Sequence, residues 1–478
     1  MTFAAGVIVA WLVVAILTQS ALPGDNIEQT IWAHSFEWGY YKHPPLPTWL
    51  LIAASRLLGP LWWLTNFLAV LCLLGTAFAT YALARRLTTP RNAQLAILLW
   101  GLHLVLTWRV SLYNHNTVLI LFCALMAWAV ISAIQQRSIR YWLIAGAGAG
   151  LALLSKYQAG VLILVLLVAL VHGKHLADPL HRRGVLAAGL AAALVFAPHA
   201  MWLVANDFPP LHYAGNYLPK RWTLDRESAT VSFSLQQLRF FWPGWAAVLF
   251  CIALMPSPTR SSSLNPIART GDAAQNIAWI RFLALGPLAL VLAIGLAGTP
   301  LQNHWGLQTL QFACLGLAVW LGRRSSVRPR QFLVVASALH LLLLATVVRN
   351  VVQIRASGWQ GHSDTHYPAR ELTRRALADW ERATSCPLTY VVGPAFEAGT
   401  ISAFSGHSPK VFEGGSRAES PWIEKSDVQR RGALYVAYAS SELPAMTTAR
   451  GSMVVTTAQA SKRPRIVYWS VLAPAAHC

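Results

Sequence analysis

Apolar runs of about 20 residues recur along the first three-quarters of the chain, each long enough to cross a ~30 Å hydrocarbon core as a helix. Only 12% of the 478 residues are charged and 55% are hydrophobic. Soluble chains carry roughly 25% charged residues, so this composition excludes an ordinary soluble globule. The fold class it implies is a polytopic α-helical membrane protein.

The formal net charge of +20 invites a nucleic-acid reading, which position argues against. Arg85, Arg86, Arg91, Arg137, Arg140, Arg182, Arg183, Arg323, Arg324, Arg328 and Arg330 all fall in short loops between apolar runs. That is the positive-inside pattern of a membrane protein, so no nucleic-acid partner is expected. Cys72, Cys123, Cys251 and Cys314 sit within apolar runs as small buried residues, and no zinc-type cysteine spacing occurs. The opening run, 3–22, lacks a basic start and is long for a signal peptide, so it reads as a retained first span.

Alternation of the loops gives about 11 spans. Among them are 93–112 as span three, 235–255 as span eight and 332–348 as span eleven, with 256–275 as a disordered linker. Span five, 141–154, is rich in Gly and Ala, which lets helices approach closely. The arginine loops fall on one side. The first loop, 23–60, falls on the other, together with Tyr113-Asn114-His115-Asn116, Lys156, the loop with Lys220 and Arg221, and His304. The polar chemistry therefore converges on the extracytoplasmic face. The membrane region is expected to cover 1–350.

From 351 to 478 the composition becomes that of a small α/β domain, expected outside. Strands are predicted at 388–392, 433–438 and 466–469, with a helix at 396–405. Cys386 and Cys478 are its cysteines, and an oxidising compartment predicts a disulfide between them.

The first loop concentrates the chemistry. Asp25 and Glu28 are three residues apart and share a face if helical. The same spacing, ahead of Ile27, Ile31, Trp32 and Phe36, also fits a capping box with Asp25 as N-cap. Downstream, Trp38-Gly39-Tyr40-Tyr41-Lys42-His43 leads into Pro44-Pro45-Leu46, whose prolines hold the backbone extended.

Asp25 followed by that stretch resembles the first periplasmic loop of GT-C glycosyltransferases of the dolichyl-phosphate-mannose–protein mannosyltransferase type (glycosyltransferase family 39-like). That superfamily includes the bacterial aminoarabinose transferases of lipid A. Leu154-Ser155-Lys156-Tyr157 and His304-Trp305 add weaker matches.

The resemblance implies an inverting transfer of a sugar from a polyprenyl-phosphate (undecaprenyl-phosphate) carrier to lipid A, lipopolysaccharide, another glycan or protein. It implies a multi-pass protein of the bacterial inner membrane with a periplasmic site. The family's catalytic aspartate falls on Asp25, with Glu28 as a second carboxylate. Its following glutamate falls on Asn26, a departure. The basic residue before Pro-Pro is His43. The second-loop aspartate falls near Asn116, which cannot ionise, so a divalent metal is left without support and no metal ligands are assigned.

A lipid-phosphate sugar carries its own leaving group, so the site needs one carboxylate to take the acceptor's proton and cations for the departing phosphate. Lys156, His43, Lys42, Lys220 and Arg221 are the candidate phosphate contacts. Tyr40, Tyr41, Asn114, Asn116 and His304 are the candidate pocket residues. A transporter or lipid flippase, and a non-catalytic assembly subunit, are the competing classes; no internal repeat of the transporter kind is visible.

Overall fold

The computed structural model describes residues 2–59, 62–107, 109–217, 226–254, 273–299, 301–324, 328–357, 364–445, 447–455 and 465–475. Lys220, Arg221, Cys478 and most of the expected linker lie outside the described residues. Cys386 is disulfide-bonded.

The chain opens with α1 (Thr2–Thr18), α2 (Gly24–Trp32), α3 (Leu46–Leu58), α4 (Leu64–Leu87), α5 (Pro90–Gly101) and α6 (His115–Gln136). Next come α7 (Ile139–Ser155), α8 (Ala159–His172), α9 (Pro179–Ala205), α10 (Pro209–Tyr217) and α11 (Arg226–Phe240). The helical part closes with α12 (Trp242–Leu254), α13 (Ala273–Leu296), α14 (Gly306–Thr309), α15 (Ala313–Arg324) and α16 (Pro329–Ser357). Among the described residues, α4, α6, α9, α13 and α16 are long and apolar enough to cross a membrane; α1, α3, α7, α8, α12 and α15 are shorter apolar helices.

Helices α6 and α7 separate two chemistries. At one end Arg86 reaches Gln135 and Arg137 pairs with Asp178. At the other, Lys156 meets Asn116. The 22 residues of α6 span about 33 Å at 1.5 Å each, so basic loops and polar cluster stand a membrane's thickness apart. The Gly/Ala-rich α7 lies tight on α9: a Cβ added to Gly146 would stand 2.1 Å from the Ala188 carbonyl oxygen.

Three expected spans are corrected. Residues 93–112 are not one helix, because α5 ends at Gly101 and the chain continues through a 3-10 turn at Leu104–Leu106. That irregular backbone is tolerated because Leu102, Leu106 and Val110 are buried in protein, not facing lipid. The described part of the expected span 235–255 is two helices parted at Phe241, since Pro243 lacks the N–H that would continue α11. Helix α16 runs on past 348, and residues 273–275 are helical, not linker.

The C-terminal part holds α17 (Ala369–Ala383), β1 (Tyr390–Gly393), α18 (Ala395–Phe404), β2 (Lys410–Glu413), α19 (Lys425–Arg431), β3 (Ala433–Ala437), β4 (Ala449–Val454) and β5 (Ile466–Leu472). The sheet order is β2-β1-β3-β5-β4, with β2, β1 and β3 parallel and β5 and β4 antiparallel. The α/β reading holds, and β2 and β4 extend the three expected strands.

The molecule has two main apolar cores. The larger lies within the helical bundle. The second joins Ile27, Ile31 and Trp32 of α2, together with Tyr40, to Tyr367, Leu372, Ala398 and Ile401 of the C-terminal domain. The fit is close: a Cβ on Gly399 would stand 2.4 Å from Ile27 Cγ2. The helix of the first loop is thus built into the core of a domain that follows it by more than three hundred residues.

Candidate active site

Helix α2 starts behind Pro23, which takes the N-cap position, and no side chain caps it. The capping-box expectation is therefore corrected: Asp25 lies inside the first turn, where a carboxylate favours the positive end of the helix dipole. With its side chain free of the cap, Asp25 is exposed and accepts a hydrogen bond from Asn114 Nδ2 at 2.7 Å.

Asn114 is itself the N-cap of α6. Its Oδ1 accepts from the backbone N–H of Asn116 at 2.9 Å and of Thr117 at 3.0 Å. One amide thus starts a membrane-length helix and holds the candidate base. Two residues on, Asn116 Oδ1 accepts from Lys156 Nζ at 2.8 Å. Burial pushes the Lys156 ammonium down to about 7, with Asp25 drawing it back up. Asp25, Asn114, Asn116 and Lys156 form one row, a carboxylate at one end and a cation at the other.

The two middle residues of that row, Asn114 and Asn116, line a cavity of about 280 Å³. Its polar lining is Arg109, Asn114, Asn116, Thr117, Asn303 and His304, with His103 as a further ring; Leu73, Leu112, Phe240 and Leu307 form the apolar wall. His304 sits on a 3-10 turn, Asn303–Trp305, held by Gln158 Nε2 donating to the Trp305 carbonyl at 3.0 Å. Arg109 was missed in the sequence because it falls inside residues 93–112. The signal was there: an ionisable side chain within an apparent span marks a functional site by default.

Asn26 faces the other way and is fully buried. Its Nδ2 donates to Thr65 Oγ1 at 3.0 Å, Asn66 Oδ1 at 3.1 Å and the Ser111 carbonyl at 2.8 Å, while its Oδ1 accepts from Tyr113 N–H at 2.8 Å. A carboxylate could not donate there. The departure from the resembled loop at this position thus has a structural reason.

The remaining loop residues gather beside the row. Lys42 Nζ bonds Glu28 at 2.5 Å and lies over the rings of Tyr41 and Tyr213, 5.1 and 5.5 Å from their centroids. Burial pushes the Glu28 carboxyl up to about 7 against the pull of Lys42. Glu28 in turn holds Lys42 above the usual lysine range. Tyr41 Oη donates to Glu413 Oε1 at 2.8 Å. His43 packs 4.0 Å from His115, centroid to centroid, and burial with the neighbouring cations keeps its imidazole well below 6.5. It offers a neutral ring, not a charge.

Tyr40 is buried, stacks on Trp32 at 4.9 Å and donates to the Ser35 carbonyl, so it is part of the packing and not of the cavity wall. Among the described residues no group of three or more His, Cys, Asp or Glu side chains is placed to hold a metal ion.

The sequence family described as dolichyl-phosphate-mannose-protein mannosyltransferase matches residues 42–202, from the middle of the first loop to α9. The lipopolysaccharide core galacturonosyltransferase RgtB of Rhizobium johnstonii is 24% identical over 407 residues, 81% of this chain and 77% of its own length. The lipid A galacturonosyltransferase RgtD of the same organism is 27% identical over 194 residues, 38% of each chain. In fold, the chain is similar to ArnT from Cupriavidus metallidurans, solved bound to undecaprenyl phosphate. The TM-score is 0.62 at 14% identity, covering 100% of this chain and 98% of that one.

Proposed function

We propose that this chain, a GT-C type membrane glycosyltransferase of the dolichyl-phosphate-mannose–protein mannosyltransferase and aminoarabinose transferase-like superfamily, moves a sugar from a polyprenyl-phosphate carrier to an extracytoplasmic acceptor. The observation that carries the reading is the row from Asp25 through Asn114 and Asn116 to Lys156, whose two middle residues line the cavity. It sets a proton acceptor and a phosphate-holding cation a short distance apart, with neutral amides between them.

In this reading the Asp25 carboxylate takes the proton of an acceptor hydroxyl. The freed oxygen attacks the anomeric carbon from the face opposite the carrier. The bond from that carbon to the phosphate oxygen breaks, and the electron pair leaves on the polyprenyl phosphate. One carboxylate suffices because the leaving group is already acidic. Lys156 and Arg109 meet the charge that grows on the phosphate, which is where a fixed cation lowers the barrier most. The apolar wall of Leu73, Leu112, Phe240 and Leu307 accepts the first units of the lipid. Glu28 is engaged with Lys42, so it serves the loop's geometry before it serves chemistry.

The test is turnover of undecaprenyl-phosphate-linked sugars by protein in liposomes, read as release of the free carrier. The relatives' names make a hexuronic acid the first sugar to try and lipopolysaccharide the first acceptor. Asp25→Asn is expected to cut turnover by ~10²-fold or more, and Glu28→Gln by less. Carrier movement across the bilayer with no sugar release would replace the enzyme by a transporter.

A further inference from the structure

We propose that Glu413, a residue of the C-terminal domain, is a positioning residue for the first loop, so that sugar transfer requires this domain docked on the loop. Three strands of its sheet run parallel, and Glu413 is the last residue of β2, beside Gly393 at the end of β1. In open α/β sheets the crevice at the carboxyl ends of parallel strands is where a ligand binds. Here the first loop of the same chain is at that edge.

Tyr41 brings its hydroxyl to Glu413 Oε1 at 2.8 Å. Glu413 is nine-tenths buried, and its Oε2 has no hydrogen-bond partner among the described residues. A buried carboxylate with an unanswered oxygen is a poor device for stability. Its surroundings indicate another use. Lys42, next along from Tyr41, stacks on Tyr41 and Tyr213 and pairs with Glu28. Tyr40 and His43 then close the turn by exchanging two backbone hydrogen bonds, each 3.2 Å. Glu413 thus holds Tyr41 inside a turn that ends at His43, which packs on His115 directly beside the Asn114–Asn116 row.

The proposal rests on the function proposed above, and its test carries a readout independent of sugar transfer. In full-length protein in lipid nanodiscs, amide exchange at Tyr40 and His43 is measured for wild type, Glu413→Ala, Glu413→Gln and Tyr41→Phe. Glu413→Ala and Tyr41→Phe are expected to speed exchange at these amides about tenfold while leaving the β3 amides unchanged. Turnover of the undecaprenyl-phosphate sugar is expected to fall about tenfold with the donor KM unchanged. The double variant should be no worse than either single, and Glu413→Gln, still an acceptor for Tyr41, should keep most activity.

Unchanged exchange in both single variants overturns the proposal whether or not the protein transfers sugar. Faster exchange with undiminished turnover overturns it as well. If Glu413→Ala fails to fold, Tyr41→Phe decides from the loop side. If the wild type transfers no sugar at all, the enzymatic reading falls, while the exchange data still decide whether Glu413 holds the loop.

Discussion

Asp25 and Asn26 are neighbours whose substitutions should separate chemistry from folding. In Asp25→Asn the new amide oxygen still accepts from Asn114 Nδ2, so the row survives and the proton acceptor is lost. Detergent melting near wild type with turnover down ~10²-fold is the expected pair of results. Asn26→Asp should do the reverse. It leaves Thr65, Asn66 and the Ser111 carbonyl facing a group that cannot donate, at about 1–3 kcal/mol for each buried group left unpaired. Its melting temperature should drop well below that of Asp25→Asn.

Lys156 carries a pH signature. Its proton is held near 7 in the folded chain, against 10.5 for an ordinary lysine. Between those values the unfolded chain binds the extra proton, so folding stability from this group rises as pH rises from about 7 to 10. Lys156→Met should flatten that rise in melts taken at pH 7, 8 and 9. An arriving phosphate restores the charge, so carrier binding at pH 8 should take up a proton. Calorimetry in two buffers of different ionisation enthalpy measures it, and no uptake would place the phosphate away from Lys156.

At the scale of elements, the contact of α7 with α9 sets where Lys156 emerges. Gly146→Ala drives a methyl into the Ala188 carbonyl and should cost about 1–3 kcal/mol in stability. Gly6→Ala in α1 meets nothing within 4 Å and should be neutral in the same melts.

Elements were legible where one physical demand dominated. Apolar runs such as α4 and α6 announce themselves because lipid leaves the backbone no partner but its own helix. The end of α5 did not, because Leu102, Leu104, Leu106, Val110 and Leu112 carry the apolar run on after the helix stops, with Leu102, Leu106 and Val110 buried in protein. Strand β4 was silent for another reason. Ala449-Arg450-Gly451-Ser452 has little strand character, and pairing with β5 supplies what its side chains lack. In the site, Asp25, Asn114, Asn116, Lys156 and His304 could be grouped from the loops they occupy. That Tyr40 packs on Trp32 and Lys42 pairs with Glu28 depended on contacts no local pattern records.

For the whole molecule, the arginine loops and the Asp25 loop are expected on opposite sides of the membrane, with the C-terminal domain beside Asp25. A phosphatase reporter fused after Ser440 should be active and one near Arg324 inactive; the reverse pattern would invert the topology. The shared core of α2 and the C-terminal domain also bears on how the protein is made. Trp32 leaves the ribosome roughly 340 residues before Leu372, a delay on the order of 20–70 s at bacterial synthesis rates. Through that interval Ile27, Ile31 and Trp32 stand uncovered, an invitation to chaperones and proteases. Nascent chains arrested ahead of α17 should therefore be cut within the first loop, whereas released chains resist. The candidate base is among the first groups synthesised and among the last to reach its working position.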